Sequence, residues 1–559
     1  VLKLAFDRPL SDRKASPDEL LWSQLFGEKP PISLQEITTG LRRAKDDDRV
    51  KSVYVDLRNF SANNASTQEL RTALAAYSQT GKDLRVHLVS PKSGAYYLAS
   101  VAKMISIEPA DSLELTGPVM VLTYFKEALD KLGVEFQLVR AGKYKSATEP
   151  FILNEPSEAT KEMYGTINDN LVQQFVDVVA PARKKSIAEV RSWLKKSLYT
   201  AGEALELGIV DIVDHRSALE DSYKKAYPEA LSVSLEEYLA GSEYVDDPII
   251  ENGSEKVGLI EAFGNIVMHR PAGGSSDPSI YPERVNKELK WMADNDDVKA
   301  VVIRISSPGG SAVASDMIWN EVALLAKKKP VVVSMGSVAA SGGYYIAASA
   351  SKIFADPGTI TGSIGVFSAL PNLTAFKEKY GVSFYSMGSS NNLSIYDPGM
   401  PLSEESKGLL QRQTDSVYEL FLKRVSEGRK KSRDEVHELA QGRVYTGTEA
   451  LANGLVDQLG GYRQAMAEAK KLAGLSPMKL YKLATYRPDP KSALDCLGLD
   501  TPEMFECISK LQAFLPPLGS RLQEVDLLPA ELVKMRSLLH QIRAEPIQAL
   551  YSDGLFLDP

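Results

Sequence analysis

Cysteine is nearly absent from this chain of 559 residues. The two present, Cys496 and Cys507, are too few for a disulfide scaffold and lack metal-ligand company, so one local disulfide and two separate thiols both stay open. No run of about 18 or more apolar residues occurs, and the chain as given therefore has no spanning helix. It begins at Val1 without an initiator Met and enters the strand-like VLKLAF at once, which leaves room for a signal or anchor upstream. The net charge of -8 comes without a long block of one sign, which argues against nucleic acid as a partner. What is present, 44% hydrophobic and 25% charged residues, is the make-up of a soluble globular protein. The length calls for about three to four folding units or a fused pair of larger ones.

The chain contains itself twice. VKSVYVDLRNF from Val50 matches VKAVVIRISSP from Val298, and SGAYYLA from Ser93 matches SGGYYIA from Ser341, both at an offset of 248. LTGPVMV at Leu115 pairs with ITGSIGV at Ile360 after a small indel. RKKS at Arg183 and Arg429, and YTAGEALELGIVD against YTGTEALANGLVD from Tyr199 and Tyr445, share an offset of 246. The polar stretch GSEYVDDPIIENGSEK is a linker, with a boundary near Asn252. The organisation expected is a repeat over residues 1–251, a second over 252–475 and an extension over 476–559, Pro-broken, with a helix around Pro529–Arg543. Short β-branched runs alternate with helical patterns in each half, which makes the fold class α/β with parallel strands and helical crossovers. The RKKS segments read as solvated helix ends, with a basic rim near lipid headgroups as the other reading. The paired tyrosines Tyr96, Tyr97, Tyr344 and Tyr345 read as shared packing.

A duplicated fold is its own control, because chemistry resides where the copies differ. The strand VVIRI ends in Ser306-Ser307-Pro308-Gly309-Gly310-Ser311, whereas the first copy has Asn59-Phe60-Ser61-Ala62 and no glycine pair. Two glycines after a strand let the backbone approach a ligand and aim an N–H at it; a tight turn is the plainer reading. KPVVVSMGSVAASGGYYIAASA carries Ser341 to a helix start, where its own N–H and that of Gly342 are expected to be free for a developing negative charge. An ordinary N-cap serine is the competing explanation. Both features fall at the same edge of a parallel sheet, where such sheets place their sites.

A serine nucleophile needs a base. None of the five histidines lies in the stretch from Ser341 through TGSIGVF. A lysine serves if burial lowers its pKa by roughly three units, about 4 kcal/mol. RAGKYKSATEPF in the first half offers Lys145, whose second-half counterpart falls near Leu393, with Lys143 two positions away as a competitor.

Together RAGKYKSATEPF, RISSPGGSAVAS, MGSVAASGGYYIA, TGSIGVF and VYTGTEALANGLVD resemble the long, tandem-domain form of signal peptide peptidase A, or protease IV, over about Val1 to Ala473. The resemblance implies two tandem Clp/crotonase-like β-α-β folds and a Ser/Lys dyad of Ser341 as nucleophile and Lys145 as base. It further implies oxyanion donors at Gly310 and Gly342, a turn shaped by Gly309, and Ser363 orienting the lysine amine. It makes Ser93 vestigial, because Pro118 stands in the first half where Ser363 stands in the second. It implies a serine endopeptidase, without cofactor or metal, that degrades cleaved signal peptides and other short or unfolded peptides. The expected setting is the bacterial inner membrane, facing the periplasm, as a homotetramer. A crotonase-like acyl-CoA enzyme and a catalytically silent membrane peptide-binding scaffold are the alternatives.

Overall fold

The structure, a computed structural model, describes residues 1–13, 31–58, 60–240, 255–270, 278–476, 482–484 and 486. The expected extension, with Cys496, Cys507 and its helix, lies outside the described residues apart from a short strand, Lys482–Ala484, and two single positions. So does the linker around Asn252.

The β-branched runs form the central strands. Val298–Ser307 and Val331–Ala340 are buried along most of their length and pair in parallel, Val301 opposite Val331 and Ile303 opposite Val333. Apolar side chains on both faces of a strand need helices above and below the sheet, the condition of a parallel α/β layer. Among the described residues the second repeat's sheet has eight strands, a long path through it running Val444–Thr446, Ile360–Gly362, Val331–Ala340, Val298–Ser307, Lys256–Phe263, Lys482–Ala484. The first repeat's sheet has six, in the order Ile212–Val213, Met104–Ile107, Asp83–Val89, Ser52–Arg58, Leu2–Phe6, Val233–Ser234. Most pairings are parallel, but Ile360–Gly362 and Val444–Thr446 run antiparallel.

The repeated residues are scaffold in detail. Tyr96 Oη donates to Ile209 O and Tyr344 Oη to Leu455 O, each at 2.9 Å. Thr200/Glu203 and Thr446/Glu449 form matching capping boxes. The arginine of each RKKS is not solvated as the sequence suggested: Arg183 pairs with Asp211 and Arg429 with Asp457, their side chains only 9% and 7% exposed. Those aspartates also accept the N–H of Ile105 and Ile353, so each arginine closes a strand-to-helix clasp.

Two of the contacts that join the repeats bear on the site and its scaffold. Glu135–Ala141 of the first pairs antiparallel with Val366–Asn372 of the second, Ala141 opposite Val366. The second contact is ionic: Arg304, 1% exposed on a central strand of the second sheet, donates to Ser334 Oγ and Met335 O. Its other nitrogen meets the first repeat's Glu69 at 3.1 Å, with Asp12 at 3.9 Å.

Candidate active site

Ser341 follows the last residue of the strand Val331–Ala340 and precedes the helix Gly342–Ala347. Its φ of 54° and ψ of -119° place a non-glycine residue in a sparsely populated region, a strained elbow that persists only when its surroundings hold it. One such hold corrects the expectation for this residue: the N–H of Ser341 is not free but donates to Gly362 O at 2.9 Å. It completes the ladder to Ile360–Gly362. The N–H of Gly342, one residue into the helix, has no protein acceptor among the described residues.

The glycine turn abuts the elbow. Gly309 and Gly310 have φ of 107° and 145°, open to glycine and strained for other residues. A Cβ on Gly309 would lie 2.7 Å from Gly342 N and from Ser341 Cβ, and one on Gly310 would lie 2.1 Å from Ile266 O. The close backbone approach is therefore a steric requirement. Like the N–H of Gly342, that of Gly310 has no acceptor among the described residues, and Gly310 is exposed.

The inter-repeat ladder brings the lysine. The chain leaves Glu135–Ala141, packs Tyr144 N–H on Gln441 O at 2.8 Å, and turns Lys145 inward. A Cβ on Gly442 would sit 2.6 Å from Lys145 N, so this loop lies directly on second-repeat backbone. Lys145 Nζ is 3.2 Å from Ser341 Oγ, 2.9 Å from Ser363 Oγ and 3.1 Å from Ser363 O. Ser363 is anchored by its own N–H, which donates to Arg443 O at 2.7 Å. Lys145 is 4% exposed, and burial alone lowers its pKa to about 8. The neutral fraction near pH 7 is then about one in ten.

Proton accounting assigns the contacts. A neutral amine has two N–H donors and one lone pair. Ser363 O can only accept, and Ser363 Oγ takes the second N–H, which leaves the lone pair for the hydroxyl of Ser341. Lys143 is exposed, its Nζ 4.7 Å from the centre of the Tyr144 ring. Of the histidines, His87 and His215 pair with Glu108, His437 with Tyr418, and His269 is exposed. His540 lies outside the described residues.

All six residues singled out in the sequence, Ser341, Lys145, Gly309, Gly310, Gly342 and Ser363, thus meet in one place. Three participants were missed: the carbonyl of Ser363, the backbone of Ile266 and that of Gln441–Arg443. Backbone groups leave no signature in side-chain type, although the glycines at 310 and 442 are indirect marks of close approach.

Comparison with known proteins gives consistent results. The sequence profile described as Peptidase family S49 matches residues 84–228 and 323–476, one segment in each repeat, and the Clp protease profile matches residues 265–359. Protease 4 of Haemophilus influenzae is 32% identical over 492 residues, covering 84% of this chain and 78% of that protein. Protease 4 of Salmonella typhi is 32% identical over 502 residues, covering 87% and 79%. The chloroplastic serine protease SPPA of Arabidopsis thaliana is 29% identical over 485 residues, covering 84% and 71%.

Proposed function

The chain belongs to peptidase family S49 and is a serine protease, and on that premise we propose that it cleaves peptide bonds with a Ser341/Lys145 dyad. The observation that carries this reading is the buried Lys145 amine 3.2 Å from Ser341 Oγ, brought from 196 residues away. Neutral Lys145 takes the hydroxyl proton of Ser341 as Oγ attacks the substrate carbonyl. The N–H groups of Gly310 and Gly342 hold the resulting oxyanion. The C–N bond breaks as the lysine gives its proton to the leaving amine, and an acyl-enzyme remains. The lysine then deprotonates a water that hydrolyses the ester and restores Ser341. Ser363 holds the amine in line throughout.

The likeness to Protease 4 supports short or unfolded peptides, cleaved signal peptides among them, as substrates. A bacterial inner-membrane setting facing the periplasm and a homotetrameric assembly belong to the same reading. No described helix is long and apolar enough to cross a membrane. Residues 1–251 would then supply the base and 252–475 the nucleophile, with 476–559 as an extension.

Hydrolysis of a fluorogenic apolar peptide by the parent, Ser341→Ala and Lys145→Ala between pH 6 and 10 tests the dyad. Both variants are expected to be inactive, and parent activity to rise with pH and level off above about 8, following the lysine. Retained activity in Lys145→Ala would remove the lysine from the mechanism. A scaffold would keep its function in Ser341→Ala, and an acyl-CoA enzyme would bind CoA saturably.

A further inference from the structure

We infer that Ser307 is a positioning residue for the oxyanion turn, its hydroxyl occupying the N–H of Gly309 so that the N–H of Gly310 is the one offered to substrate. The inference rests on the oxyanion reading above and adds a residue to it. Ser307 ends the strand Val298–Ser307 and is 0% exposed. It stands where the strand pairing slips, between Ile305 opposite Met335 and Ser307 opposite Ala339, so the ladder no longer dictates where the next N–H groups point.

The donors of the turn can be counted. Pro308 has none. Gly309 N–H donates to Ser307 Oγ at 3.1 Å, and Ser311 N–H donates to Ile266 O at 2.8 Å. Ile266 N–H in turn donates to Gly309 O at 2.8 Å. Every backbone donor from Pro308 to Ser311 is therefore taken except that of Gly310. A buried N–H left without a partner is costly, and the side chain of Ser307 is what relieves Gly309 of that cost. Without the hydroxyl, the Gly309 peptide would gain by rotating toward another acceptor, and the Gly309–Gly310 peptide would turn with it.

Ser307 also touches the other half of the hole. A Cβ on Gly343 would lie 2.7 Å from Ser307 O, so the first turn of the Ser341 helix rests on this backbone. One residue thereby registers both candidate donors against each other. Its neighbour Ser306 does not: that hydroxyl pairs with Ser337 Oγ at 3.0 Å.

The test uses the full chain with Ser307→Ala and Ser307→Cys, the latter of similar volume but a weak acceptor. Three quantities are measured: kcat and KM on a fluorogenic peptide, their pH profiles, and inhibition by a peptide aldehyde of the same sequence. Ser341 Oγ adds to the aldehyde carbon to form a hemiacetal whose oxygen occupies the turn. Ser307→Ala is expected to lower kcat about tenfold, a fraction of the loss on removing a whole oxyanion donor. KM and the lysine limb of the pH profile should stay in place, aldehyde affinity should fall by the same factor as kcat, and the Cys variant should fall between. Unchanged kcat in Ser307→Ala, or a matched loss of substrate and aldehyde binding, overturns the inference. If the Ala variant does not fold, the same comparison in Ser307→Cys decides it. Activity persisting in Ser341→Ala would instead sink the dyad reading, so the two failures are distinguishable.

Discussion

The two repeats carry the same serine turn to different ends. At Ser341 the hydroxyl faces a buried amine, and two backbone N–H groups beside it have no acceptor among the described residues. At Ser93 the hydroxyl accepts the N–H of Gly117 at 3.0 Å. The first repeat has no glycine pair after its strand, and Pro118 stands where Ser363 holds the amine. Around position 393, where the second repeat would need its own lysine, Leu393 opens a short 3-10 helix. The same serine turn can thus have its hydroxyl occupied by backbone, with the scaffold unchanged. The clasps and capping boxes are the same in both copies.

The comparison can be broken first at its most asymmetric pair. Arg304 has Asp56 as its counterpart and Glu69 has Met317, so the buried ion pair links the repeats in one direction only. Glu69→Ala takes the nearer carboxylate from a buried guanidinium and leaves Asp12 at 3.9 Å, and should cost about 3 kcal/mol, read as a lowered denaturation midpoint. Next, Gly310→Ala would give the second repeat a side chain the turn cannot hold. A loss of about 10²–10³ in kcat is expected, the scale of one lost oxyanion donor, without loss of the fold by circular dichroism.

Lys145→Met removes the buried amine that Ser341 faces. Burial lowers the lysine pKa from 10.5 to about 8, so protonating it in the folded chain costs about 3 kcal/mol. Below pH 8 both folded and unfolded lysines are charged and the cost is full. Between 8 and 10.5 the unfolded state holds the extra proton, and stability rises with pH. The inactive Met variant should thus be stabilised most near pH 6, with the gain fading from about pH 8 and gone above 10.5, as thermal denaturation at several pH values would register. Smallest of all, Ser93→Ala should leave kcat unchanged and lower stability by about 1 kcal/mol, the worth of one hydrogen bond. A loss of activity there would mean that the first serine is not vestigial.

Much of this was legible in the sequence because duplication supplies the alignment a single chain normally lacks. The α/β class, the tandem repeats and the serine turn follow from segments that match, and the glycine pair from one that does not. The lysine was harder: position alone left Lys143 and Lys145 open, and burial beside Ser341 is what distinguishes them physically. The free N–H expected at Ser341 was wrong because the pairing of Ala340 with Gly362 continues one residue past the strand end. Arg304 went unnoticed because nothing local distinguishes an arginine on a buried strand. Its partner lies 235 residues away.

The inter-repeat ladder also bears on when the enzyme can first act. Lys145 leaves the ribosome 196 residues ahead of Ser341, and its loop is seated on Gln441–Arg443, later still. A growing chain therefore carries its nucleophile and base as separate, inert parts for most of its synthesis. On the dyad reading, hydrolysis cannot begin until both repeats have been made and packed together.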